Sequence, residues 1–287
     1  MSQIGISIEH TSIYLVHVNR GEGGWHHVQA SSELTFNVDL YSDLLDKGHP
    51  KLVSEVTQKL TQVLSRLAPK KLAVCLNMTG AKCLPIQVEK NIPAEVFEEV
   101  CQAEAALFLN EPEDYIWQPV AVGNAFHGKF ERYVLIFLPK RYLTRLKMLL
   151  LPSQKEINLI DVGHIALHHL QVHPNMRTAL LEIEPDYVAF SSLLMPNLET
   201  ITYTPLEVET DVAYFALSAI QTLSASCPIS VIGSAVSDEV ISLIADAAKV
   251  PVARATLPKN FVVSSQVDSP EKYLKAIGCA VKAMSLG

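Results

Sequence analysis

Apolar and polar positions alternate at the start of the chain. In IGISIEHTSIYLVHV, residues 4 to 18, Ile4, Ile6 and Ile8 fall on one face and Gly5, Ser7 and Glu9 on the other. A period of two predicts strands, here a hairpin over 3–9 and 12–18 around His10–Thr11, with a third strand over 25–36 after the Gly21–Gly24 turn. The same beat returns in LLEIEPDYVAF, residues 180 to 190, with Leu181 and Ile183 opposite Glu182 and Glu184. Each hairpin carries an apolar-x-Ile-Glu run and a β-branched residue four positions after the Glu, Ile13 and Val188. The repeat of one pattern near residue 177 implies two lobes related by an internal duplication.

Between and after the hairpins the period changes. Leu52, Val53, Val56, Leu60, Val63, Leu64 and Leu67 lie at helical spacing over 49–67, and Pro69 ends that helix. The run 71–77 reads as a buried strand. A helix over 94–109 starts at Pro93 with Glu95, Glu98 and Glu99 near its positive end. Strands are predicted at 115–123 and 130–138, a helix over 140–151, and a strand turning into a helix over 157–172. The second half continues with a strand over 198–204, a helix over 208–224, a strand over 227–234 and a helix over 236–248. The VPVARA run and a helix over 270–285 complete it. Strands alternate with helices, so the class is α/β with a mixed sheet.

Composition adds limits. The 287 residues are 49% apolar and 18% charged, the profile of a folded domain with ample core. A net charge of −7 argues against general affinity for nucleic acid or acidic lipid. Two short basic clusters, Lys70–Lys71 and KRYLTRLK at 140–147, read as solvated helix faces. The opening MSQIGISIE has no basic or apolar leader pattern, and no run of eighteen apolar residues occurs. The five cysteines, Cys75, Cys83, Cys101, Cys227 and Cys279, are scattered and lack CxxC, as reduced thiols of a cytoplasmic protein would be. GxSxG, GxGxxG and P-loop motifs are absent.

With two hairpin-led lobes, the chain resembles the actin-like ATPase superfamily. The strand-to-helix run SVIGSA is similar to its adenosine motif, and YLKAIGCAVKA (273–283) to its closing helix. Within the superfamily it looks most like the PilM-type pilus assembly proteins, relatives of FtsA. NIPAEVFEEVCQAEAALFLNEPEDYIWQPVAVG reads like their inserted subdomain, with Glu104 central, and INLIDVGHIALHHL like the hinge back into the first lobe. The resemblance implies a duplicated ribonuclease H-like fold with a small inserted α+β subdomain and a reduced second lobe. The lobes would be 1–78 with 151–176 and 177–287, and the insertion 79–150.

In active members of that superfamily both hairpins carry Asp-x-Gly turns, whose Asp serves Mg²⁺ or water and whose Gly admits phosphate. Here Ser7 and Glu9 stand at the first pair of positions and Glu182 and Glu184 at the second, with Gly233 and Ser234 in the adenosine motif. A carboxylate about 5 Å from a phosphate charge costs roughly 3 kcal/mol at an effective dielectric of 20. Glu9 and Glu184 would therefore repel a triphosphate, and only about 20 residues separate the second hairpin from the helix at 208–224. The cleft reads as vestigial, with no catalytic residue and neither ATP nor Mg²⁺ as a cofactor. If the hairpins are instead simple half-buried strands, Glu9 and Glu184 are solvated, which also predicts no catalysis.

The resemblance then implies a cytoplasmic scaffold that binds the tail of an inner-membrane assembly protein, recruited to the membrane face through it. The tail would lie as an extended peptide among segments 1–78 and 84–150. The alternatives are an active ATPase or small-molecule kinase, in which Glu182 alone holds Mg²⁺, and an actin-like protein unrelated to pili. A separate candidate is the histidine run: His164 pairs with His168, and His169 with His173, at i and i+4. A catalytic zinc site needs a third ligand, so the run reads as a helix that buries Ile165, Leu167 and Leu170 and shows its imidazoles to solvent.

Overall fold

The computed structural model describes residues 1–124, 128–170, 176–194, 197–207, 212–221 and 227–286. Its first elements are strands β1 (Ser2–Ile8), β2 (Ser12–Arg20) and β3 (His26–Thr35), a π-helix (Leu40–Asp46), helix α1 (Pro50–Ser65) and strand β4 (Lys71–Leu76). Next come β5 (Lys82–Glu89), α2 (Ala94–Phe108), β6 (Tyr115–Asn124), β7 (Phe130–Pro139), α3 (Lys140–Leu150), β8 (Glu156–Val162) and α4 (Gly163–Leu167). The second hairpin is β9 (Arg177–Glu184) and β10 (Tyr187–Leu194), followed by β11 (Asn197–Pro205), α5 (Val212–Ile220), β12 (Ile229–Ile232), α6 (Asp238–Ala248) and β13 (Val252–Arg254). Strand β14 (Phe261–Val263) and helix α7 (Leu274–Leu286) end the chain.

Two compact units result. One contains Met1–Met78, Arg141–Val172 and Thr256–Gly287, and the other Thr79–Lys140 and His173–Ala255. The first unit's sheet has the order β14-β3-β2-β1-β4-β8, and the second unit's main sheet the order β11-β10-β9-β12-β13. Without β14 the two orders are the same, with an antiparallel meander on one side and two parallel strands on the other. The repeated hairpin pattern is thus repeated topology. A third sheet, β5-β7-β6, carries α2 and has its own core of Ile86, Val88, Cys101, Ala105, Leu109, Leu135 and Phe137.

Period two predicts one wet face for β1, yet Gly5 and Ser7 are as buried as Ile4, Ile6 and Ile8. Helix α7 covers the small-residue face, so closely that a Cβ on Gly5 would lie 1.9 Å from the Ala276 carbonyl oxygen. Small side chains there are a docking surface for helix backbone, and only secondarily polar. Ala73, Cys75, Ala166, Cys279 and Ala283 form the packed layer beneath it.

The units divide differently from the expected segments in three places. Residues 256–287 pack with the first unit, although the expected second lobe ran from 177 to 287, because α7 finds its apolar surface on β1 and β4. From Arg141 onward α3 also belongs to the first unit, so the inserted segment ends near 140 and not at 150; Tyr142 packs edge-on against Tyr41 there. The insertion clusters with residues 173–255. Helix α5 falls within the expected 208–224, of which 208–211 and 222–226 lie outside the described residues. No helix among the described residues is long and apolar enough to cross a membrane.

Candidate functional site

In the first unit the site residues gather at the β1–β2 turn. The Glu9 N–H donates to the Ser12 carbonyl at 2.9 Å, closing the turn. The Glu9 carboxylate accepts from the Lys275 ammonium at 3.4 Å, and the same ammonium donates to Asn77 Oδ1 at 2.7 Å. Lys275 is 3% exposed, an unusual place for a cation without such partners. Tyr41 fixes the neighbouring backbone: its hydroxyl donates to the Ile8 carbonyl at 2.8 Å and accepts from the Asn77 N–H. Burial pushes the Tyr41 phenol well above its ordinary pKa, so it stays a donor. The turn that holds Tyr41 is capped by Asp39, which accepts from the Tyr41 and Ser42 N–H groups. Ser7 Oγ and Asn77 Nδ2 are buried with no hydrogen-bond partner among the described residues.

In the second unit the β9–β10 hairpin supplies two fully buried carboxylates. Glu182 accepts from the Tyr187 hydroxyl at 2.6 Å. Glu184 accepts from the Ser234 N–H at 3.2 Å and from its Oγ. Gly233 makes that turn possible. Its φ of +126° suits glycine, and a Cβ there would sit 1.9 Å from the Ile183 carbonyl oxygen. The turn then enters α6, where Ser237 Oγ caps by accepting from the Val240 N–H at 3.2 Å.

The predicted residues thus divide between the units, Ser7 and Glu9 at the first hairpin and Glu182 and Glu184 at the second, with Gly233 and Ser234 in the β12–α6 turn beside it. The alternative of solvated glutamates does not hold for Glu184, which is 0% exposed. Lys275, Asn77 and Tyr41 were not anticipated. A signal existed for Lys275, the sole charge in the otherwise apolar run from Leu274 to Val281. With Lys275 beside it, Glu9 cannot be counted as a full uncompensated negative charge. Helix α7 also sends Lys282 to Asp161 in β8, at 2.7 Å.

The histidine run is arranged differently from expectation. His164 and His168 are buried, their rings edge to face at 5.5 Å between centroids, in a short helix held under α7. A Cβ on Gly278 of α7 would lie 2.5 Å from the Ala166 carbonyl, so the segment packs inward. His169 faces outward and His173 lies outside the described residues. No cluster of three or more His, Cys, Asp or Glu placed to hold a metal occurs among the described residues.

No family model and no curated protein matches the chain. Solved structures do. A PilM–PilN type IV pilus biogenesis complex matches with a TM-score of 0.75 at 15% identity, over 98% of this chain and 98% of that one. A Bacteroides thetaiotaomicron protein described as having an actin-like ATPase fold and unknown function matches at 0.53 and 11% identity, over 96% and 95%. The fold is that of the actin-like ATPases. The cytoplasmic domain of EpsL, an inner-membrane component of the Vibrio cholerae type II secretion system, is also similar, at 0.52 and 10% identity over 100% and 96%. At these identities the actin-like likeness is one of fold, and the side chains decide what the fold does here.

Proposed function

We propose that this protein is a non-hydrolysing adaptor of actin-like fold, which binds the cytoplasmic tail of an inner-membrane assembly protein in pilus or secretion machinery. The observation that carries the loss of catalysis is the Glu184–Ser234 contact. A backbone N–H and a hydroxyl at a strand-to-helix turn are anion donors, and here they serve the protein's own carboxylate. A ligand phosphate would have to displace a fully buried carboxylate. Similarity to the PilM–PilN complex and to the EpsL domain supports a membrane-protein partner on the cytoplasmic side.

One observation favours a second reading. The buried, unpartnered Ser7 Oγ and Asn77 Nδ2, with Asn77 bonded to the Lys275 ammonium, are groups that a bound phosphate would satisfy. An active ATPase would use them. Thermal unfolding with millimolar Mg²⁺–ATP separates the two. Ligand at about a hundred times Kd adds roughly 2.7 kcal/mol, so the adaptor predicts an unmoved Tm and the ATPase a clear rise. For the partner, synthetic peptides of the cytoplasmic tails of inner-membrane pilus or secretion proteins from the same genome are titrated in calorimetry, and one of them should bind. If none of these tails binds, the adaptor assignment fails.

A further inference from the structure

One basic cluster that looks minor in the sequence, Lys70–Lys71, lies toward the same end of the first unit as Lys147, the last cation of the other basic run. Helix α1 ends at Ser65 and is followed by Arg66, Lys70 and Lys71, all exposed. Helix α3 presents Lys147 and Met148 one turn before Leu151. The fold ties these stretches to each other: the Lys155 ammonium donates to the Leu67 and Pro69 carbonyls at 2.8 and 2.7 Å, and Lys71 pairs with Glu156 across β4 and β8. Met284 of α7 and Lys71 line one small cavity.

Arg66, Lys70, Lys71 and Lys147 form no ion pair among the described residues, and Glu156 is the acid set among them. That is a local cationic surface on a chain of net charge −7. Next to Lys147 stand large exposed apolar side chains: Met148 is 54% exposed and Leu151 77%. Charge alone would suit any polyanion. Cations beside exposed Leu and Met suit a bilayer, where ammonium groups meet phosphate headgroups and the apolar side chains enter the acyl boundary. Nucleic acid would give Leu151 and Met148 nothing.

We propose that this end of the first unit rests directly on an anionic bilayer surface. The contact is separate from any protein partner, so it stands or falls independently of the adaptor reading. The whole purified protein, with no partner present, should float with vesicles of phosphatidylglycerol and phosphatidylethanolamine, and not with phosphatidylcholine alone. Each surface cation contributes about fivefold to such partitioning, so Lys70→Glu with Lys71→Glu and Lys147→Glu should weaken it by at least a hundredfold. Leu151→Ser should weaken it without changing its salt dependence. All four positions are exposed, and an unchanged melting curve for each variant shows that folding is intact. Equal flotation of wild type and triple variant overturns the proposal. So does absence of binding to anionic vesicles alongside salt-sensitive binding to duplex DNA.

Discussion

Burying an ammonium group is costly unless it is paired and hydrogen-bonded, and Lys275 has both Glu9 and Asn77. Lys275→Met removes the cation and leaves the Glu9 carboxylate partly buried beside an apolar chain. We expect a loss of about 3 kcal/mol in urea unfolding. Adding Glu9→Gln to Lys275→Met should recover at least about 0.5 kcal/mol, because the two residues interact directly. At the second hairpin the logic is the same with a hydroxyl. Ser234→Ala deletes one donor to the buried Glu184 carboxylate and should cost about 1–3 kcal/mol by the same measurement. Neither partner is adjacent in sequence to its glutamate, so Lys275 was not legible as a site residue, and for Ser234 the site was legible while the contact with Glu184 was not.

Single elements carry the geometry of both sites. The turn from β12 into α6 exists because Gly233 has a positive φ and lets backbone pass over Ile183. Gly233→Ala forces that turn away and with it the Ser234 donors, so it should destabilise more than Ser234→Ala does in a parallel melt. At the opposite edge of the first sheet, β14 pairs with β3 and stacks Phe261 on His26 at 5.0 Å between ring centroids. Burial first, then the Arg20 and His27 charges, hold the His26 imidazole below its ordinary value of 6.5. Its folded pKa is lowered, so this edge contributes full stability above about pH 6.5 and loses it as pH falls through the lowered value, where the unfolded chain takes up the proton first. Urea midpoints should therefore fall more steeply below about pH 6.5 in wild type than in His26→Phe. A parallel slope in the two proteins would show that His26 does not carry the effect.

Across the whole molecule, one topology appears twice, β3-β2-β1-β4-β8 and β11-β10-β9-β12-β13. The duplication was legible in the sequence and the strand order was not, because hydrophobic period depends only on local geometry: side chains alternate along a strand and return every 3.6 residues along a helix. The hairpins at 4–18 and 180–190 and the helices at 50–65 and 94–108 were readable for that reason. The histidine run shows the limit. The i, i+4 spacing of His164 and His168 fixed a shared face, and only the packing of α7 decided that this face points inward. Strand β14 is three strand-favouring residues, Phe261–Val263, too short to read alone, and β3 offers the edge it pairs with. Tertiary structure likewise decided which unit α7 joins, that Lys275 meets Glu9 across 266 positions of sequence, and that the Lys155 ammonium meets the Leu67 and Pro69 carbonyls. Those are contacts between residues far apart along the chain, and no periodicity encodes them, because their energies exist only once the core has placed the partners together.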